Sequence, residues 1–190
     1  MAASGPRNLR LAGEEAGGVI LLSGVSPHSL ASATARVRDG ERAAGRAPES
    51  VRLTVSAYCE VTDDIEAAAR RIKPICAAIT RNGGAPFLAL AGIHVDVPAV
   101  PDVIDGVYPD LAHAEDWDAA VKAVSPWVDD AAALRFAEEF CLFGTADDTA
   151  RRLRALHADD VDGVFLQHVG SYAPPIDLIE SVGASVLPAL

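Results

Sequence analysis

Ser4-Gly5-Pro6 has the residue types of an anion-holding turn. Ser4 or Gly5 can cap a helix, and Pro6 has the fixed φ and missing N–H that suit the first helical position. A helix start preceded by small residues leaves backbone N–H groups pointing outward, where phosphate can sit. The Ser4 hydroxyl would add a donor; the plainer reading is an ordinary helix cap. His28 and His168 each lie just beyond an apolar run. There an imidazole can donate to a ligand ring or move a proton, or it can be a loop histidine that packs or is solvated. Ser171 and Tyr172 follow Gly170 in the same late segment and are candidates to touch a ligand.

Other chemistries find little support. No two histidines have a ligand spacing such as H-x-x-x-H, so no metal is expected. The carboxylate pairs Asp63-Asp64, Asp129-Asp130 and Asp159-Asp160 read as caps and turns. Neither a G-x-G-x-x-G fingerprint nor a Walker loop is present. No serine or cysteine has the setting of a nucleophile, and the catalytic residues stay unknown.

The elements that must position these residues follow from periodicity. Leu9, Ala12, Gly13 and Ala16 recur at helical spacing, and Gly17-Gly18 is expected to stop that helix. Val19 to Leu22 is a continuous apolar run, the pattern of a strand buried on both faces of a parallel sheet. A second helix starts at Ser26-Pro27. In Val51 to Glu60, Leu53, Val55, Ala57 and Cys59 alternate as in a half-buried strand. Asp63 with Glu66 suggests a cap pair for a helix bent near Pro74. Further helices are expected at 114–124, from Ser125-Pro126 to about Phe140, after the cap Thr145, and after Pro174-Pro175 with Ile176, Ile179 and Val182 inward. Residues 161–167 form the last strand. The polar and glycine-containing clusters all follow strands, including Ser23-Gly24-Val25-Ser26-Pro27-His28, and in (β/α) barrels that rim builds the site.

Composition bounds the rest. The 190 residues are half hydrophobic, enough for one domain with a real core. A net charge of −11 makes nucleic acid a poor partner. No apolar run approaches the roughly 20 residues of a membrane span, and no signal peptide is visible, so a cytoplasmic location is expected. The three cysteines show neither a disulfide framework nor metal spacing.

Ala3-Ser4-Gly5-Pro6, Leu11-Ala12-Gly13-Glu14, Gly18-Val19-Ile20-Leu21, Gly144-Thr145 and Asp162-Gly163-Val164-Phe165 resemble the luciferase-like monooxygenase family. The resemblance covers nearly the whole chain but only the C-terminal half of the family's domain. It implies an α/β fold: residues 1–190 as one partial (β/α)8 TIM-type barrel with parallel strands. Residues Asn82 to Pro109, with Gly83-Gly84 and four prolines around the apolar patch Phe87 to Ile93, interrupt the strand–helix order. They read as an insertion at about 82–110, before the last strand, that begins with a short helix and becomes a loop. Inserts of this kind often cover a site mouth or a subunit interface.

The resemblance also implies an oxidoreductase that uses coenzyme F420 (a deazaflavin) or FMN on a small-molecule substrate. It places Ala3, Ser4, Gly5 and Ser23 at the cofactor, with His28, His168, Ser171 and Tyr172 on the rim. Three strands and the stub Met1–Ala3 fall short of the eight a barrel needs. A truncated gene product, a split-gene half or a half-barrel that assembles as a homo-oligomer or with a missing N-terminal half would each fit. The alternative function is a non-catalytic binding or interaction module, or an inactive remnant.

Overall fold

The computed structural model describes residues 1–98, 104, 106–170 and 174–190. Five strands, β1 (Ala2–Ala3), β2 (Gly18–Leu21), β3 (Arg52–Val61), β4 (Cys141–Gly144) and β5 (Gly163–Gln167), form one all-parallel sheet. β2 and β5 both pair with Thr54 and Val55, so they flank opposite edges of β3. Tyr58 pairs with both Cys141 and Gln167, which puts β4 on the edge used by β2, further along β3. The three expected strands are thus adjacent in space, with β3 between the other two.

Helices α1 (Pro6–Glu15) and α2 (Pro27–Ala43) follow β1 and β2 and pack against each other. The alternation in β3 is real: Leu53, Val55, Ala57 and Cys59 are buried, joining Leu9, Leu21, Leu30 and Val37 in the core between sheet and helices. β3 is followed by α3 (Ile65–Arg71) and α4 (Lys73–Ile79), which divide at Ile72 with Pro74 in the first turn of α4. A kinked turn at Thr80–Gly84 then leads into α5 (Ala85–Leu90).

Helices α6 (Trp117–Val124) and α7 (Asp130–Phe140) lead to β4, then α8 (Ala146–Ala158), β5 and α9 (Ile176–Ser181). A second core joins α3, α4, α6 and α7 through Ile72, Cys76, Trp117, Val124 and Phe136. β4 divides the two cores, giving Cys141 and Phe143 to one and Leu142 to the other.

Several local expectations are corrected. Asp64, not Asp63, caps α3, accepting from the Ala67 amide at 2.9 Å. Gly17-Gly18 does not stop α1: Ala16 is the C-cap in extended conformation and Gly18 already belongs to β2. Ser125-Pro126 does not open α7. Ser125 closes α6, its hydroxyl donating to the Val121 carbonyl at 2.7 Å, and Asp129 caps α7 through the Ala132 amide at 2.7 Å. Ile176 and Ile179 are exposed rather than inward, because α9 turns Leu178 toward the core with Val182 just beyond it. Thr145 caps α8 as expected, and its hydroxyl also donates to the Asp148 carboxylate at 2.9 Å.

Candidate functional site

The residues of β3 that do not enter the core make the floor of the site. Thr54, Ser56 and Tyr58 alternate with the buried set and stand on the opposite face of the sheet. In register beside them lie Ile20 of β2 and Phe165 and Gln167 of β5. The Ser56 hydroxyl donates to the Gln167 side-chain carbonyl oxygen at 2.7 Å. Burial pushes the Tyr58 phenol up to about 12, so it stays protonated and able to donate at neutral pH.

Ser56, Tyr58 and Gln167 line a cleft of about 770 Å³ that reaches Ser4 and Gly5 at the start of α1. Its other wall is apolar: Ile79, Phe87, Leu90, Phe136 and Phe140. The rings of Phe136 and Phe140 are 4.9 Å apart and those of Phe87 and Phe140 are 5.3 Å apart, a tilted stack that fixes this wall. The turn Asn82–Gly84 and α5 border the cleft, with Leu90 86% exposed at the mouth.

The start of α1 differs from an ordinary cap. Gly5 is the N-cap, in extended conformation, and no side chain accepts from the first helical N–H groups. Ser4 is exposed and its hydroxyl does not cap the helix. A Cβ on Gly5 would meet nothing within 4 Å, so the approach to these donors is open.

A smaller pocket of about 260 Å³ shares Ser4, Phe87, Leu90 and Phe140 with the cleft and adds Ser23 and His28. The loop carrying Ser23 is held down at Val25, whose amide donates to the Glu139 carbonyl at 2.8 Å. Gly24, at φ +96°, lies so close beneath that a Cβ there would stand 2.8 Å from the same oxygen. Ser26 caps α2, accepting from the Ser29 amide.

The structure thus gathers Ser4, Gly5, Ser23 and His28 around one entrance, but not every predicted residue. Ala3 is buried; its side chain is core and its carbonyl accepts from the Leu22 amide at 2.9 Å, so it supports the site from below. His168 lies in a separate pocket of about 500 Å³ with Glu60, Arg71 and Asp177. Ser171 and Tyr172 lie outside the described residues. From the sequence, Tyr58 and Gln167 are legible only as members of the polar clusters that follow strands, and Ser56 is not singled out, although the alternation that puts Leu53 and Val55 in the core assigns Ser56 and Tyr58 to the opposite face.

An open layer of parallel strands, with loops beyond their C-terminal ends enclosing a cleft, defines part of a (β/α) barrel. Residues 1–163 match the family model of the luciferase-like monooxygenases, and the chain belongs to that family. Solved structures agree on the fold. The coenzyme F420-dependent tetrahydromethanopterin reductase from Methanopyrus kandleri superposes with a TM-score of 0.64 at 23% identity, over 99% of this chain and 49% of that one. An F420-dependent secondary alcohol dehydrogenase in complex with an F420-acetone adduct gives 0.60 at 14% identity, over 99% and 47%. The oxygenating constituent of 3,6-diketocamphane monooxygenase from Pseudomonas putida, in complex with FMN, gives 0.52 at 16%, over 100% and 48%. The chain spans about half the length of these relatives. Among the described residues no helix is long and apolar enough to cross a membrane.

Proposed function

We propose that the entrance formed by Ser4, Gly5 and α1 holds the phosphate of coenzyme F420 or FMN, and that the adjoining cleft is one wall of an oxidoreductase site for a small organic substrate. The observation that carries this reading is the uncapped N-terminus of α1, opening into the cleft at a glycine with space around it. Family membership and the cofactors named for the structural relatives support it.

The cofactor would supply the hydride or electron chemistry. The chain's own residues bind and orient. Backbone N–H groups and the Ser4 hydroxyl receive the phosphate, and the partial positive charge of the helix end adds about 1 kcal/mol at an exposed site. Tyr58 and the Ser56–Gln167 pair present polar groups from the floor, while Phe87, Phe136 and Phe140 shield the opposite side from water.

Half a barrel does not surround a ring. Association costs at least several kcal/mol, and hydride transfer needs donor and acceptor held within about 3–3.5 Å. The 190-residue chain alone should therefore bind FMN and F420 weakly and not turn over. Fluorescence titration with each cofactor, followed by a turnover assay with and without a polypeptide carrying the remaining strands, tests this. Binding with turnover only in the completed assembly supports it; robust turnover by the chain alone would contradict it.

A second reading, an interaction module without catalysis, draws on the sheet. Ile20, Leu22 and Phe165 are 37%, 46% and 54% exposed, an apolar surface that in an assembly would be covered by a second copy or by the remaining strands.

A further inference from the structure

Tyr58 and Gln167 are direct partners in the register between β3 and β5, so their side chains rise from one face of the sheet on strands about 4.8 Å apart. Both line the large cleft, and each has a donor to spare. The Gln167 carbonyl oxygen is taken by the Ser56 hydroxyl at 2.7 Å. That leaves the amide nitrogen as the free end, with no partner among the described residues. The Tyr58 hydroxyl has none there either, and burial keeps it protonated.

The rest of the lining narrows what these donors can receive. Among the described residues no Asp, Glu, Lys, Arg or His lines the cleft, although 23% of the chain is charged. A charged group brought beside the pair would leave water without a counter-ion, at a cost that two neutral donors do not offset. A carbonyl oxygen carries two lone pairs and no net charge, which matches two neutral donors side by side. Across the cleft, the tilted rings of Phe87, Phe136 and Phe140 suit an apolar body.

We infer that Tyr58 and Gln167 together receive the oxygen of an uncharged carbonyl compound whose apolar body lies against the Phe87–Phe140 wall. The inference rests on the reading of the cleft as one wall of a substrate site, and it narrows that substrate from a small organic molecule to a neutral ketone or aldehyde. Two donors on one oxygen both orient the compound and polarise its carbonyl.

The test titrates the 190-residue chain by ligand-observed NMR with three probes of similar size. These are acetophenone, ethylbenzene, which lacks the oxygen, and benzoate, which carries a charge. Phosphate buffer keeps the α1 entrance occupied, and thermal melting confirms that each variant folds. Tyr58→Phe removes one donor. Gln167→Glu keeps an acceptor for Ser56 and removes the other donor. Each should weaken acetophenone about fivefold and leave ethylbenzene within about twofold. Benzoate should bind about tenfold or more weakly than acetophenone. FMN and F420 are titrated in parallel without phosphate buffer. Acetophenone that does not bind or ignores both variants, or benzoate that binds as well, overturns the inference and leaves the cofactor reading standing. Variants that weaken FMN and F420 but not acetophenone overturn it too, since the pair would then hold the cofactor. Failure of both cofactors to bind, with the acetophenone pattern intact, supports the carbonyl receptor and sinks the cofactor reading alone.

Discussion

Gly13 of α1 and Gly40 of α2 meet backbone to backbone. A Cβ on Gly13 would lie 2.9 Å from the Gly40 Cα and overlap the Val37 carbonyl oxygen; a Cβ on Gly40 would overlap the Arg10 carbonyl. Neither atom in the way is a movable side-chain end, so any substitution must push the helices apart. Because α1 carries the Ser4–Gly5 entrance and α2 the Ser23–His28 loop, this crossing sets the distance between the two cavities. Gly40→Val should cost roughly 3 kcal/mol or more in chemical denaturation, while Gly17→Ala, which meets nothing within 4 Å, should cost little.

Glu41 gives a pH-dependent prediction. Its side chain is buried and accepts from the Val51 amide at 2.7 Å, the Glu49 amide at 3.2 Å and the Arg38 guanidinium at 3.0 Å, tying the end of α2 to the start of β3. Burial alone would raise its pKa, but these donors outweigh it and hold the carboxyl below its ordinary value of 4.5. A folded value below the unfolded one contributes stability that is full above about 4.5 and fades as pH falls through the folded value. Glu41→Gln should therefore destabilise by about 2 kcal/mol at pH 7, with the gap to the unsubstituted chain narrowing below pH 4.5 in melts across pH. A constant gap down to pH 3 would contradict this.

The cysteines should be silent in the folded chain. Burial pushes Cys59 up to about 11, Cys76 to about 12 and Cys141 well above its ordinary range. A thiol-reactive dye at pH 8 should label none of the three until denaturant is added.

The open sheet face predicts association. Leu22 and Phe165 project from the face that carries the site floor, and burying them between chains would remove substantial apolar surface from water. Sedimentation velocity should show oligomers and dye-accessible apolar surface, and Leu22→Lys with Phe165→Lys should shift the chain toward monomer without lowering its melting temperature. A compact monomer that binds no dye would contradict the expectation.

What was legible in the sequence follows from how each element is stabilised. β2 and β3 stood out because one is a continuous apolar run and the other alternates cleanly. The alternation reports burial directly, whereas the run in β2 misleads about its second face, where Ile20 is 37% and Leu22 46% exposed instead of buried. β4 did not. Cys-Leu-Phe-Gly is four residues long, buried on both faces between the two cores, and follows the apolar stripe of α7 without a break, so it has no period of its own. α9 was placed correctly but rotated wrongly, since Ile176 and Ile179 are as apolar as Leu178 and only the neighbouring surfaces choose between them. Position after a strand singles out Ser4, Gly5, Ser23 and His28, which line neighbouring cavities, whereas the separate cavity at His168 depends on which loops converge, a tertiary fact.

The most direct test of the phosphate entrance is Gly5→Asp, because stability and binding should move in opposite directions. Gly5 is an N-cap at φ −81° and ψ 152° with open space at its Cβ, so aspartate fits and caps α1, which should raise stability by a few tenths of a kcal/mol. The same carboxylate would stand against the phosphate and should weaken FMN and F420 binding by about tenfold or more. A variant that melts no lower than the unsubstituted chain but loses cofactor in titration is the predicted result. Unchanged cofactor affinity in a folded Gly5→Asp chain would contradict the assignment of the phosphate to this entrance.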